Sequence, residues 1–131
     1  MGKDNQNPQP GDLIEIDRPA YQHWALYVGD GFVIHVREEG GPSLLTSSSS
    51  ISATTAKVRK DPLKKVVKND YWHVNNKYDE SYTPRPVEEI IKSAEERVGK
   101  EVPYDVLSDN CEHFVTELRY GKAVSEQVSD S

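Results

Sequence analysis

The sequence predicts a single domain of the α+β class, in which a small antiparallel sheet packs against helices. Short runs of alternating apolar residues, separated by Gly, Pro and Asp, occupy the first part of the chain and are typical of strands. Two longer amphipathic patterns in the last third are typical of helices. A length of 131 residues allows one packed core but not two.

Polar segments divide the chain into three parts. We expect residues 1–10 to be a disordered lead-in, residues 11–121 to form the single domain, and residues 122–131 to be a polar tail. Within the domain, residues 38–55 are rich in Gly, Pro and Ser, which predicts a mobile surface loop. No run approaches the ~18 apolar residues of a membrane-spanning helix, so the sequence as given carries no hydrophobic C-terminal anchor.

Five short segments have the pattern of strands. The predicted strands are residues 12–16, 23–28, 32–36, 56–60 and 71–75. The first ends at the turn Arg18-Pro19. The second and third flank Gly29-Asp30-Gly31 and give the strongest hairpin signal in the chain. The last two are expected to pair antiparallel with the rest.

The length of the hairpin loop decides where two histidines point, because a shift of one residue moves every side chain to the other face of a sheet. A two-residue turn places His23 and His35 on opposite faces. A three-residue loop pairs Leu26 with Ile34 and gives one wholly apolar face. We therefore predict the three-residue loop, in which the two histidines share the other face as diagonal neighbours roughly 7–8 Å apart.

The first helix is predicted at about residues 86–98. Pro86 suits the first turn, where its missing N–H costs nothing, and Gly99 suits the position that follows the last turn. Glu88 and Glu89 lie in the first turn and complement the positive, N-terminal end of the helix dipole. The predicted buried stripe consists of Val87, Ile90, Ile91, Ala94 and Val98.

The second helix is predicted at about residues 110–120. Asp109 and Glu112 have the spacing of a capping box, and Gly121 is placed to end the helix. The residues expected to face inward are Phe114, Val115 and Leu118. The first turn of this helix therefore contains Cys111.

Composition and charge exclude some functions. The net charge of -6 argues against general nucleic-acid binding, which needs clustered Lys and Arg to neutralise phosphates. The single cysteine allows no internal disulfide, whereas a secreted domain of this size more often carries an even number. We therefore expect a cytoplasmic location, or a membrane surface that faces the cytosol.

Cys111 is the candidate nucleophile. A thiol near a helix N-terminus lies close to unpaired N–H groups and to the positive end of the dipole, which favour the thiolate. Such an environment lowers a cysteine pKa from ~8.5 to about 3.5–7.5. The alternative is that Cys111 is a small buried core residue without chemistry.

The hairpin histidines supply the groups that a cysteine nucleophile needs. We expect His23 to take the thiol proton and His35 to orient and polarise that imidazole, although the two roles can be reversed. His113 is nearer in sequence, but residues two apart on a helix do not face each other. The Cys111 backbone N–H is one oxyanion donor, and Tyr21, Arg18 and Asn110 are candidates to supply or position another.

A metal site is the rival use of the same side chains. Zinc sites commonly show Cys-x-x-Cys or His-x-x-x-His spacing, and neither occurs around Cys111. No carboxylate cluster with the spacing of a calcium loop is present either. We therefore expect neither metal nor cofactor to take part in the reaction.

Several motifs together resemble the lecithin:retinol acyltransferase-like family, and within it the phospholipase A and acyltransferase branch. The resemblance covers roughly Gln9 to Val128 and rests most specifically on the His-Trp-Ala and Asn-Cys-Glu-His-Phe blocks. The matching segments are Arg18-Pro19-Ala20-Tyr21-Gln22-His23-Trp24-Ala25-Leu26-Tyr27, Gly29-Asp30-Gly31, Val74-Asn75-Asn76-Lys77, Asn110-Cys111-Glu112-His113-Phe114-Val115 and Leu118-Arg119-Tyr120-Gly121.

The resemblance implies a small α+β fold related to the NlpC/P60 cysteine peptidases, a permuted papain-like thiol hydrolase fold. It also implies a triad of Cys111, His23 and His35. The implied activity is calcium-independent phospholipase A1 or A2, and acyl transfer through a cysteine thioester to water, to phosphatidylethanolamine or to a lysophospholipid. An amidase or peptidase with the same triad, and a non-catalytic signalling module, stay open as alternatives.

The same resemblance sets the expected partners. They are phospholipid substrates and, transiently, a membrane surface, with no nucleic acid and no stable oligomer. We expect a cytoplasmic protein that associates with intracellular membranes, in a full-length form anchored by a C-terminal helix.

Overall fold

A computed structural model describes residues 7–19, 22–38, 55–103 and 109–122. Its strands are β1 (Leu13–Asp17), β2 (Gln22–Gly29), β3 (Phe32–Glu38), β4 (Thr55–Pro62), β5 (Trp72–Val74) and β6 (Glu101–Pro103). Its helices are α1 (Leu63–Val67), α2 (Val87–Arg97) and α3 (Asp109–Tyr120), and a short 3₁₀ turn covers Lys77–Glu80. The expectations for residues 1–6 of the lead-in, 39–54 of the loop and 123–131 of the tail lie outside these ranges.

In the described part of the chain the strands form one six-stranded sheet, in the order β5-β1-β2-β3-β4-β6. Every neighbouring pair in it is antiparallel. The α+β class predicted from the sequence is therefore confirmed. The β2–β3 hairpin lies at the centre of the sheet, so that both of its strands are paired on each side.

Each face of the sheet is covered by helix, and two separate cores result. On the first, here called the α3 face, side chains from four strands pack against α2 and α3: Leu13, Trp24, Leu26, Ile34, Val36, Ala56 and Val58 against Ile90, Ala94, Phe114, Val115 and Leu118. On the second, here called the α1 face, Ile14, Ile16, Ala25 and Val33 pack against Val66 and Val67. The alternation of side chains along a strand separates the two sets.

The hairpin reaches the predicted register by a different route. Leu26 pairs with Ile34, as predicted, yet the loop is a two-residue turn in which Gly29 pairs with Phe32. The register shifts between Tyr27 and Gly29, where a β-bulge adds one residue to β2. The prediction of a three-residue loop was therefore wrong. The bulge still gives the predicted pairing of Leu26 with Ile34, because one extra residue in β2 has the same effect on side-chain direction as one extra residue in the loop.

The turn itself explains why the two-residue form is favoured. Asp30 has φ of 56° and Gly31 has φ of 83°. Positive φ at both central residues is the geometry of a type I′ turn, which matches the right-handed twist of paired strands. An Asp-Gly pair adopts it at little cost, since Gly lacks a Cβ and Asp tolerates the left-handed region.

The two predicted helices are present, with differences at their ends. Pro86 precedes α2, and Gly99 follows it with φ of 91°, as a helix stop requires. Val87, placed in the buried stripe by its spacing, is the first residue of α2 and is 49% exposed, so its prediction as a buried residue was wrong. The capping-box prediction was wrong, because helix α3 already begins at Asp109 and the capping residue of such a box must precede the helix. Glu112 accepts a hydrogen bond of 2.7 Å from the Tyr78 hydroxyl.

Helix α3 is fixed at its C-terminal end by a buried arginine. Arg119 Nη1 donates to the Gly11 carbonyl at 2.7 Å, and its Nε and Nη2 donate to the Asp79 carboxylate at 3.1 and 2.8 Å. The Tyr120 hydroxyl donates to the same carboxylate at 2.6 Å. These contacts tie the C-terminal end of α3 to Gly11, two residues before β1, and to the 3₁₀ turn.

Three short elements were not predicted: α1, the 3₁₀ turn and β6. Each has three to five residues, which is too short for a periodic pattern to stand out. No helix in the described part of the chain has the length and apolar character needed to cross a bilayer.

Candidate active site

The sheet opens between β2 and β3 at one end. The described pairing of these strands begins at Ala25–His35. Beyond that point β2 continues to Gln22 along β1, whereas β3 continues to Glu38 along β4. The two central strands therefore separate where His23 lies, and each follows its outer neighbour.

This opening brings together residues from opposite faces of the sheet. His23 has the side-chain direction of Ala25 and belongs to the α1 face, while Cys111 packs in the core of the α3 face. Cys111 Sγ nevertheless lies 3.5 Å from His23 Nδ1. A side chain in the first turn of α3 reaches an imidazole of the other face at the point where the described pairing of β2 with β3 has ended.

The two histidines are diagonal neighbours on one face, as the predicted register requires. Their ring centroids are 5.1 Å apart with nearly perpendicular planes, and His23 Nε2 lies 2.9 Å from His35 Nδ1. His23 therefore stands between the thiol and His35. Of the two assignments left open by the sequence, this arrangement favours His23 as the base and His35 as the group that orients it.

A carboxylate lies on the side of His35 that faces away from His23. His35 Nε2 lies 2.9 Å from Asp61 Oδ2, at the end of β4. Arg37 Nη1 donates to the same oxygen at 3.1 Å. We refer to Cys111, His23, His35 and Asp61 as the network. Asp61 was not identified from the sequence, because the predicted fourth strand stopped at residue 60.

Burial controls the protonation of both histidines. Desolvation, followed by the nearby His35 and Arg18, lowers the pKa of His23 from 6.5 to about 3. Burial also lowers the pKa of His35, although the hydrogen bond to Asp61 and the charge of Asp61 act in the opposite direction. Both imidazoles are therefore neutral near pH 7, and His23 is free to accept a proton.

The prediction of a thiolate at Cys111 was wrong for this structure. Cys111 is only 1% exposed, and burial raises the pKa of its thiol from 9.0 to about 11. A backbone hydrogen bond from Trp24 and the charge of Arg18 lower the pKa by less. The desolvation of a buried sulfur therefore outweighs the favourable position at the helix N-terminus.

The three candidates for the oxyanion site have different outcomes. Arg18 is held away from the thiol: Nη2 donates to the Val66 carbonyl at 3.0 Å, and Nε lies 3.2 Å from Asp70 Oδ2 without being aligned for a hydrogen bond. It acts on the network through its charge alone. Tyr21 and the side chain of Asn110 lie outside the described part of the structure.

Two other histidines lie apart from the network. His73 on β5 is exposed and lies 3.2 Å from Glu15. His113, which follows Cys111 by two positions, is half-buried on α3. The position of His113 agrees with the argument that residues two apart on a helix point in different directions.

Comparisons with known proteins match this chain over nearly its whole length. The profile of the lecithin retinol acyltransferase family matches residues 6–124. The chain is 57% identical over 124 residues to phospholipase A and acyltransferase 1 of Homo sapiens, covering 94% of this chain and 74% of that protein. It is 53% identical over 125 residues to phospholipase A and acyltransferase 3 of Homo sapiens, covering 94% and 77%. With phospholipase A and acyltransferase 4 of Homo sapiens the identity is 50% over 130 residues, covering 98% and 79%.

Proposed function

Because the chain belongs to the lecithin retinol acyltransferase family, we propose that it is a calcium-independent phospholipase A1/A2 and acyltransferase that works through a thioester on Cys111. The names of its relatives support phospholipid hydrolysis and acyl transfer as the reaction class. The observation that carries the assignment of residues is the contact of 3.5 Å between Cys111 Sγ and His23 Nδ1, with His35 directly behind.

Acylation begins with a neutral thiol and a neutral imidazole. Cys111 Sγ attacks the ester carbonyl carbon of the phospholipid while His23 Nδ1 takes the thiol proton. The tetrahedral intermediate then breaks its bond to the glycerol oxygen. That oxygen takes the proton from His23 and leaves as the hydroxyl of a lysophospholipid, so that the acyl group stays on sulfur.

Deacylation repeats these steps with a second nucleophile. Water, the amine of phosphatidylethanolamine or the hydroxyl of a lysophospholipid attacks the thioester and gives a proton to His23 Nδ1. The carbon–sulfur bond breaks, and sulfur recovers the proton from His23. The products are a fatty acid, an N-acylated phospholipid or a re-acylated phospholipid, respectively.

The oxyanion of both intermediates needs donors close to the reacting carbon. The Cys111 backbone N–H is one candidate, since the N–H groups of the first helical turn have no acceptor within the helix. Tyr21 and Asn110 stay candidates for a further donor. Arg18 contributes its positive charge, which favours a negative intermediate without direct contact.

We also propose a setting for the reaction. The enzyme acts as a monomer, without a metal or another cofactor, on phospholipids at the cytoplasmic surface of intracellular membranes. A lone cysteine fits a reducing compartment. The negative net charge of the chain indicates that attraction to anionic lipids is not what brings it to the bilayer.

Intact-protein mass spectrometry tests the mechanism. The protein is mixed with detergent-dispersed phosphatidylcholine in the presence of a calcium chelator, and the mass is followed over time. We expect one added fatty-acyl group on the wild type and none on Cys111→Ser, with lysophospholipid release lost in the same variant. His113→Gln is the matched control, because it changes a histidine beside Cys111 that lies outside the network.

Three outcomes would contradict the proposal. An acyl group on another residue in Cys111→Ser would show that Cys111 is not the nucleophile. Cleavage of acyl-peptides but not of phospholipids would indicate an amidase or peptidase. Absence of any adduct, even with a short-chain thioester, would indicate an interaction module.

A further inference from the structure

Asp61 occupies a position that determines how protons are arranged along the network. Its side chain is partly buried and lies on the α1 face, because Asp61 pairs with Val33 and is diagonal to His35 in the β3–β4 ladder. Its Oδ2 atom lies within 2.9 Å of His35 Nε2. An ionised carboxylate can only accept, so His35 must carry its proton on Nε2 to make this hydrogen bond.

The proton on His35 fixes the proton on His23. A neutral imidazole has one N–H and one bare nitrogen, so a proton on His35 Nε2 leaves His35 Nδ1 as an acceptor. His23 Nε2, at 2.9 Å, must then be the donor. The bare nitrogen of His23 is consequently Nδ1, which faces the thiol at 3.5 Å. The opposite arrangement would point a lone pair of His35 at the carboxylate.

We infer that Asp61 is a positioning residue that, through His35, holds His23 in the tautomer whose Nδ1 can receive the thiol proton. The inference rests on the proposed function and goes beyond it, since it adds a residue to the three assigned above. Asp61 acts through two imidazoles and does not touch the reacting atoms. His35 carries no fixed negative charge of its own, and Asp61, which is hydrogen-bonded to His35, supplies that charge.

Arg37 keeps Asp61 in the required form. Its Nη1 donates to the same oxygen that accepts from His35. Hydrogen bonds from His35 and Arg37 lower the pKa of Asp61 against the opposing effect of burial. The carboxylate is therefore ionised near neutral pH. It can stabilise the positive charge that develops on the imidazoles while His23 holds the proton.

The tautomer is measurable without any substrate. We expect two-bond ¹H–¹⁵N correlation spectra of the wild type near pH 7 to show His35 protonated on Nε2 and His23 protonated on Nε2. In Asp61→Ala the preference of His35 should disappear, and His23 should become a mixture of tautomers. Unchanged tautomers in Asp61→Ala would overturn the inference, whether or not the protein turns over phospholipid.

Kinetics separate the charge of Asp61 from its shape. For Asp61→Asn we expect acylation of Cys111 to slow by at least about ten-fold, with KM unchanged. The loss should stay below the roughly 10⁴-fold that follows when a carboxylate directly on a catalytic histidine is replaced, because Asp61 is one imidazole further away. Asp61→Glu should recover most of the rate, since it restores the charge.

The pH profile distinguishes positioning from a loss of folding. Removing a negative charge lowers the pKa of the two imidazoles, so the acidic midpoint of the acylation rate should move to lower pH in Asp61→Asn. A merely structural effect scales the rate without moving this midpoint. The substitution leaves the other charged or titratable side chains of the α1 face unchanged: Arg18, Tyr27, Arg37, Lys57, Arg59, Lys64, Lys65 and Asp70.

Glu95→Gln is the matched control. It removes one negative charge from an exposed ion pair with Lys60, the residue next to Asp61 on β4, and it lies outside the network. We expect wild-type acylation and an unmoved midpoint. If Asp61→Asn behaves like Glu95→Gln, the inference is wrong while the thioester mechanism stands. If the wild type forms no adduct, the proposed function fails, and the tautomer measurement alone decides the role of Asp61.

Discussion

At the scale of single residues, the structure places a neutral thiol beside a neutral imidazole. The pKa of Cys111 is raised to about 11 and that of His23 is lowered to about 3, both mainly by burial. A proton therefore stays on sulfur at every pH between these values. In the proposed mechanism the nucleophile is therefore generated only as the substrate is attacked, in contrast to an enzyme that stores a thiolate–imidazolium pair.

Alkylation of Cys111 measures this directly, because it is the only cysteine in the chain. Only the thiolate reacts, and its fraction rises tenfold per pH unit below the thiol pKa. We expect the rate with iodoacetamide to climb from pH 6 to pH 9 without levelling off, whereas free glutathione levels off above its own pKa. A plateau between pH 5 and pH 7 would instead reveal a stable ion pair.

The sequence predicted three members of the network and missed the fourth. His23 and His35 could be placed on one face of the hairpin, because both alternate with the apolar residues that form the other face. Asp61 obeys the same alternation in β4, but the predicted strand ended at residue 60, one residue before it. The raised pKa of Cys111 was not predictable, since it depends on how completely other elements cover the helix N-terminus.

At the scale of the secondary-structure elements, deleting one residue tests how the bulge in β2 sets the directions of the side chains. Val28 is the extra residue between Tyr27–Val33 and Gly29–Phe32. Deleting Val28 leaves the two-residue turn intact and places Gly29 directly after Tyr27. The two pairs then become consecutive steps of a regular ladder, and His23 and His35 keep their common face.

We therefore expect the deletion of Val28 to retain the His23–His35 contact and Cys111 acylation, at some cost in stability because Val28 packs against the core of the α3 face. Thermal unfolding and the acylation assay measure the two effects separately. Loss of acylation in a protein that stays folded would show that the bulge also sets the position of the strand end.

The major elements were predictable because each has a long pattern with clear ends. Strand alternation located β1 to β5, and the Pro86 and Gly99 signals bounded α2. The bulge was not predictable, since a bulged two-residue turn and a three-residue loop give the same side-chain directions. Helix α1 and β6 depend on packing against distant residues, which a local pattern does not contain.

At the scale of the whole molecule, the buried histidines make folding sensitive to mild acid. His23 titrates near 6.5 when unfolded and near 3 when folded. Below pH 6.5 the unfolded chain therefore binds the extra proton, and the stability that is present at higher pH is lost as pH falls towards 3. From pH 7.5 to pH 5 this one group lowers the free energy of unfolding by roughly 2 kcal/mol.

Urea unfolding at these two pH values checks the effect. We expect a clear loss of stability at pH 5, and a smaller loss in His23→Gln, which lacks the titrating imidazole. His35 adds to the effect in the same direction, because its pKa is lowered too. Asp61 and Asp79 titrate in a lower range and contribute little above pH 5. An equal loss in the wild type and His23→Gln would assign the acid sensitivity to other groups.

The opening between β2 and β3 has a consequence for how activity and folding are linked. The thiol packs in the core of the α3 face, whereas the imidazoles lie on the α1 face, so the contact between sulfur and nitrogen crosses from one face to the other. We expect a fluctuation that loosens α3 alone to separate sulfur from nitrogen while most of the sheet stays paired. In the proposed mechanism activity therefore depends on both cores, and we expect substitutions remote from the site to abolish activity at a smaller loss of stability than unfolding requires.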